Sequence, residues 1–152
     1  MINRIEIPKD MLEQVYAHAI EEYPAECCGM VFGSKNENAL TRVRTCVNAQ
    51  DKYHALDPET FPRKAKTAYF IEPIELLAIE KELSANEERV AVIYHSHIDV
   101  DAYFSEEDVR RAVSDGDPIY PGTAYLVLSV VDGKVAAEKT FYWDPEKKSF
   151  VE

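Results

Sequence analysis

Apolar positions recur at helical spacing between residues 9 and 23, where Leu12, Val15, Ala19 and Tyr23 share one side. Pro8 opens that segment and Pro24 closes it, which predicts a helix with one face packed on a sheet. Ahead of it, Arg4-Ile5-Glu6-Ile7 alternates and predicts a short strand over residues 3–7. After it, the small and apolar run from Ala25 to Gly33 suits a buried strand, residues 33–38 a turn, and residues 39–48 a returning strand with one wet face. Residues 49–67 are mostly polar, with Pro58 and Pro62, and predict a long loop of the kind that often carries function. Pro73 then starts a second helix through about Asn86, with Leu76, Ile79 and Leu83 on one face. The β-branched run Val90-Ala91-Val92-Ile93-Tyr94 predicts a buried strand, and Ser105 begins a third helix. Past Gly116, Pro118, Pro121 and Gly122, residues 124–131 and 134–143 form a hairpin across Asp132-Gly133. The elements add up to an α/β chain of the α+β kind, a mixed sheet with helices packed against it.

Composition narrows the setting. A chain of 152 residues with neither repeats nor a linker is the size of one domain, 1–152, able to bury a continuous core. The first residues do not read as a signal peptide, and no apolar run is long enough to span a bilayer, so a soluble, cytoplasmic protein is expected. Cys27-Cys28 and the isolated Cys46 make neither a disulfide framework nor a metal knuckle. A net charge of −11 disfavours phosphate backbones and anionic lipid, and the cluster Arg63, Lys64 and Lys66 is too small to reverse it. Neither nucleic acid nor membrane is an expected partner.

The chemistry concentrates between His95 and Asp108, as His-Ser-His, seven residues, then Ser105-Glu106-Glu107-Asp108. Two histidines one residue apart in an extended chain face the same way, and a loop of that length can bring the first turn of the next helix back against the strand end. His95, His97 and Asp108 would then form an open three-ligand zinc site, leaving a position for a water whose pKa falls to about 7. Taken alone, Ser105-x-x-Asp108 reads as a helix capping box; the convergence of both histidines with the aspartate points to metal. His54, in the long loop, reads as solvated and is not counted among the ligands. A hydrolase of this type needs a general base. Glu26, at the edge of a buried strand beside Cys27-Cys28-Gly29, is the candidate, although local chemistry alone equally allows it to cap the strand entry.

On these residues the chain resembles the JAMM, or MPN-plus, metalloproteases: Glu26 within Pro24-Ala25-Glu26-Cys27-Cys28-Gly29, then His95-Ser96-His97, seven residues, Ser105, two residues, Asp108. The order of elements, including Tyr69-Phe70-Ile71-Glu72-Pro73 before the second helix, extends the resemblance over most of the chain. It implies a cytidine-deaminase-like JAMM/MPN fold with a mixed, largely antiparallel β-sheet flanked by helices. It also implies zinc on His95, His97 and Asp108, Glu26 as general base and acid, and Ser105 as oxyanion donor. Cys27 and Cys28 are then structural. The chain is similar to the short stand-alone prokaryotic members, which implies hydrolysis of a peptide or isopeptide bond after the Gly-Gly tail of a ubiquitin-like or sulfur-carrier protein.

Two positions depart from the family pattern: Ile98 and Phe104 stand where proline is common, so the inter-ligand loop has different stiffening. Tyr103 and Phe104 offer either an apolar wall to substrate or packing beneath the loop. Two other classes are weighed. A zinc deaminase would need His-x-Glu and a distant Pro-Cys-x-x-Cys, which the chain lacks. A non-catalytic MPN-type scaffold that binds zinc would keep the ligands without turnover. The oligomeric state is not legible.

Overall fold

The computed structural model describes residues 2–152; residue 1 lies outside the described residues. In chain order the elements are α1 (Lys9–Glu22), β1 (Cys28–Ser34), β2 (Leu40–Cys46), α2 (Gln50–Leu56), α3 (Pro73–Asn86), β3 (Glu88–Ile98), α4 (Glu106–Ala112), β4 (Val113–Ser114), β5 (Asp117–Pro118), β6 (Ala124–Val131), β7 (Lys134–Asp144) and β8 (Ser149–Val151). Both long helices run between the boundaries their prolines predict: Pro73 occupies the first turn of α3, and Glu87 in the left-handed region ends it.

Six strands form one sheet in the order β2-β1-β3-β6-β7-β8. Only the β3–β6 pair is parallel, joined through α4; the other neighbours are antiparallel. Side-chain alternation on the central strands sorts the core into two layers. Val31, Val92, Tyr94, Leu126 and Leu128 pack with Val15 and Ala19 of α1. Met30, Phe32, Ile93 and Tyr125 pack with Ile79 and Leu83 of α3. Cys27 belongs to the first layer and Cys28 to the second, which is the structural role expected for adjacent cysteines. All three cysteines are free and buried.

The expected strand at residues 3–7 does not form. The backbone there pairs with no strand; the Ile5 amide donates to the Tyr142 hydroxyl at 3.0 Å, while Ile2, Ile5 and Ile7 pack on the α1 layer. Alternation bought burial without a ladder. The long loop begins with the helix α2, in which only Gln50 is buried, so no apolar stripe announced it. The strand β8 is too short for periodicity to reveal. The hairpin turn is as expected, with Asp132 and Gly133 both at positive φ (51° and 75°), the signature of a type I′ turn.

Candidate active site and metal centre

Position along β3 decides where the histidines point. Ile93, His95 and His97 alternate onto the α3 face, and the two imidazoles emerge at the carboxyl end of the strand, between β1 (Cys28 opposite His95) and β6 (Ser129 opposite His97). Ser96 faces the other way and accepts the Cys27 amide at 2.7 Å, locking the two strand ends together. The chain then returns through residues 99–104 into α4, whose first turn carries Asp108. Ser105 caps that helix in a reciprocal box: its hydroxyl accepts the Asp108 amide at 3.1 Å, and Asp108 Oδ2 accepts the Ser105 amide at 2.9 Å. The capping box therefore holds the Asp108 carboxylate against the two histidines.

His95, His97 and Asp108 are all buried, and one donor atom of each lies within 4.8 Å of the others. His95 Nε2 is 3.1 Å from Asp108 Oδ1 and His97 Nε2 is 3.2 Å from Asp108 Oδ2. The first contact is out of line for a hydrogen bond, so both ring nitrogens of His95 are buried without a hydrogen-bond partner. His97 Nδ1 lies 3.0 Å from the Asp101 carbonyl, which can only accept, so Nδ1 carries a proton, while Nε2 faces Asp108 Oδ2 at 3.2 Å. Two imidazole nitrogens gathered on one carboxylate call for positive charge between them, either a proton or a metal ion. Burial alone would raise the Asp108 pKa, but the two histidines and the Ser105 amide hold it well below the usual carboxylate range. This orphaned, anionic, two-imidazole group could bind a metal.

Glu26 precedes β1 and is buried against the same cleft, a cavity of about 160 Å³ that it lines with His97, Ser105 and Asp108. Burial first, and the neighbouring Asp108 charge second, push its carboxyl up to about 9, against the opposing pull of Arg63 and Arg111. The cysteines offer no competing nucleophile, since burial pushes Cys27 and Cys46 up to about 12 and Cys28 higher still. His54 lies apart, its Nδ1 2.8 Å from the Phe61 carbonyl.

Several residues that sequence reasoning passed over hold this arrangement. Asn48 donates to the Glu26 and Ala68 carbonyls (2.8 and 3.1 Å) and accepts the Gln50 and Phe70 amides (3.0 and 3.1 Å). Tyr69 stacks on His95 with ring centres 4.8 Å apart. The positions adjoin a polar loop with no periodicity, so only the density of Asn, Gln and Asp at 48–51 hinted at side-chain anchoring.

Residues 8–144 match the family model described as prokaryotic homologs of the JAB domain. The chain belongs to this family. Among curated relatives, it is 27% identical over 126 residues to the CysO-cysteine peptidase of Mycobacterium tuberculosis, covering 83% of this chain and 73% of that protein. It is 26% identical over 141 residues to the desampylase of Haloferax volcanii, covering 90% and 88%. Its fold is similar to solution structures of proteins from Desulfitobacterium hafniense and Salinibacter ruber. Each superposes with a TM-score of 0.64 at 22% identity, covering 91% and 97% of this chain and 83% and 87% of the respective proteins. A JAB1/MPN domain protein from Archaeoglobus fulgidus superposes with a TM-score of 0.50 at 15% identity, covering 93% of this chain and 90% of that one. Where this JAB-domain chain departs from the expected prolines, Phe104 packs among Tyr125, Phe141 and Phe150 (ring centres 5.2, 5.4 and 4.8 Å) beneath the loop. Tyr103 instead stays half exposed against His97, at 4.8 Å, as part of the cleft wall. Among the described residues no helix is long and apolar enough to cross a membrane.

Proposed function

We propose that residues 1–152 form a single zinc metallopeptidase domain that hydrolyses the peptide or isopeptide bond after the Gly-Gly tail of a ubiquitin-like or sulfur-carrier protein. The observation that carries this reading is the buried His95-His97-Asp108 group with Glu26 beside it in one cleft. The names of the two curated relatives, a CysO-cysteine peptidase and a desampylase, support the choice of substrate. Three free thiols fit a reducing cytoplasm.

His95, His97 and Asp108 would hold zinc, and the ion, when bound there, would supply Lewis acidity to the scissile carbonyl and lower the pKa of a water toward about 7. Glu26 takes a proton from the attacking water and delivers it to the leaving nitrogen. One water is consumed, the carbonyl carbon gains its oxygen, the C–N bond breaks, and a carboxylate and an amine leave. Burial makes Glu26 a strong proton holder, and positive charge held on the neighbouring cluster would lower its pKa, the direction a group that first accepts and then donates a proton requires. Ser105 Oγ accepts the Asp108 amide and keeps its own proton free to stabilise the oxyanion.

The test is elemental analysis of the purified protein together with cleavage of a ubiquitin-like carrier bearing a C-terminal amino-acid adduct, with and without chelator. About one zinc per chain and chelator-sensitive cleavage is the expected result. Zinc without cleavage of peptide or isopeptide adducts would favour the scaffold reading.

A further inference from the structure

The cleft carries positive charge that the proposed mechanism leaves unused. Arg63, Lys66 and Arg111 all line it, in a chain of net charge −11. Arg111 is committed elsewhere: its Nε pairs with Glu107 at 3.1 Å, and its guanidinium lies over Tyr69 and Phe70. Glu107 also pairs with Arg110, so its charge is spoken for. Arg63 and Lys66 make no ion pair among the described residues, and the side chain of Arg63 donates only to the Thr67 carbonyl, at 3.3 Å.

The segment bearing these two cations is pinned. Gln50, fully buried, donates to the Arg63 carbonyl at 2.8 Å, and Asp51 accepts the Ala65 amide at 2.7 Å. The Ala65 carbonyl in turn accepts the Glu26 amide at 2.8 Å. Arg63 and Lys66 therefore flank a residue bonded directly to the main chain of Glu26. Val100 and Tyr103, which line the same cleft and are about half exposed, bring no charge to it.

That placement matters because Glu26 is the group that meets the leaving nitrogen. In an amino acid released from a Gly-Gly tail, the α-carboxylate is bonded through one carbon to that nitrogen, which puts its oxygens within about 4 Å of it. In a lysine isopeptide the same nitrogen carries four methylenes and no charge. We propose that Arg63, assisted by Lys66, is a subsite for the free α-carboxylate of the departing residue, so that the enzyme removes a single C-terminal amino acid in preference to cleaving isopeptide-linked proteins. This rests on the hydrolase reading above and specifies its substrate class. A guanidinium suits the task because it meets a carboxylate in two parallel hydrogen bonds.

The test uses three synthetic peptides of one sequence: one ending Gly-Gly-Ala with a free carboxylate, its C-terminal carboxamide, and one with the Gly-Gly carboxyl joined to the side-chain amine of a capped lysine. The zinc-loaded enzyme is expected to favour the free acid over both others by about tenfold or more in kcat/KM, a modest factor because these cations face solvent. In an R63M/K66M double variant that ratio is expected to fall to near one, with zinc content and circular dichroism as folding controls. Titration of Glu26→Gln protein with the acid and the amide reads the same preference as Kd, independent of turnover. Equal Kd values, or a ratio unchanged in the double variant, would overturn the subsite. A preference in Kd with no cleavage of any peptide would overturn the hydrolase reading and leave the subsite standing.

Discussion

Ser105 and Asp108 clasp each other in both directions, amide to hydroxyl at 3.1 Å and amide to carboxylate at 2.9 Å, and the carboxylate oxygen so held is the one that faces His97 at 3.2 Å. One capping box thus stiffens a helix and aims a carboxylate at the two histidines. Ser105→Ala should lose about 1 kcal/mol of stability from the cap and about 10² in kcat from the oxyanion donor, while zinc stays bound. A melting curve, zinc content and steady-state kinetics on one preparation separate the three. A variant that melts lower yet turns over normally would leave Ser105 as a cap alone.

Glu26→Gln should keep zinc and abolish hydrolysis, since an amide cannot shuttle the proton. It also carries a pH signature in the chelated protein. A carboxyl whose folded pKa is raised from 4.5 to about 9 contributes stability that is full below the lower value and lost as pH rises toward the upper one. Wild type should therefore lose stability relative to Glu26→Gln between about pH 5 and 9, the gap reaching about 1–3 kcal/mol at the alkaline end. Asp108, with its lowered pKa, works in the opposite sense and only at acid pH. Parallel melting-temperature profiles for the two proteins across that range would show that burial costs Glu26 nothing.

Gly29 lies opposite Tyr94 across the β1–β3 ladder, and a Cβ there would collide with the hydroxyl end of the Tyr94 ring. The ring needs that space to reach His18, whose Nδ1 is 2.7 Å from the tyrosine hydroxyl in the α1 layer. Gly29→Ala should cost about 1–3 kcal/mol by overpacking, and Tyr94→Ala in the same chain should recover part of it. Additive losses in the double variant, by chemical denaturation, would show that the two positions do not compete.

Much of this design is legible in the residues because the physics is local. The period-two spacing of His95 and His97 dictates a shared face, Pro8 and Pro73 mark helix starts, and Asp132-Gly133 requires its turn. What escaped depends on partners distant in sequence. Ile5 and Ile7 alternate as a strand does but find Tyr142 and the α1 layer instead of a ladder. Gln50 and Asn48 look like loop residues until the Arg63–Phe70 backbone arrives to be hydrogen-bonded. Glu26 was legible as a candidate, yet its proximity to Arg63 and Arg111 was not, because those cations come from a polar loop and the last turn of α4.

His95 presents the sharpest conflict between stability and chemistry. Both of its ring nitrogens are buried without a hydrogen bond, and each unsatisfied polar group of this kind costs about 1–3 kcal/mol. His95→Leu fills nearly the same volume and removes both nitrogens, but it also removes the stacking with Tyr69 and the imidazole 3.1 Å from Asp108 Oδ1 that helps to keep this buried carboxyl ionised, so the comparison needs Asp108→Asn in the same chain. In the presence of chelator the His95→Leu/Asp108→Asn variant should unfold at higher denaturant than Asp108→Asn alone, with an unchanged slope. Adding zinc should raise the midpoint of wild type and leave the double variant where it was, because ligand binding stabilises only the state that can bind. If the double variant is less stable in chelator than Asp108→Asn alone, the imidazole is satisfied in the free protein and its orphaned nitrogens are not held for a metal.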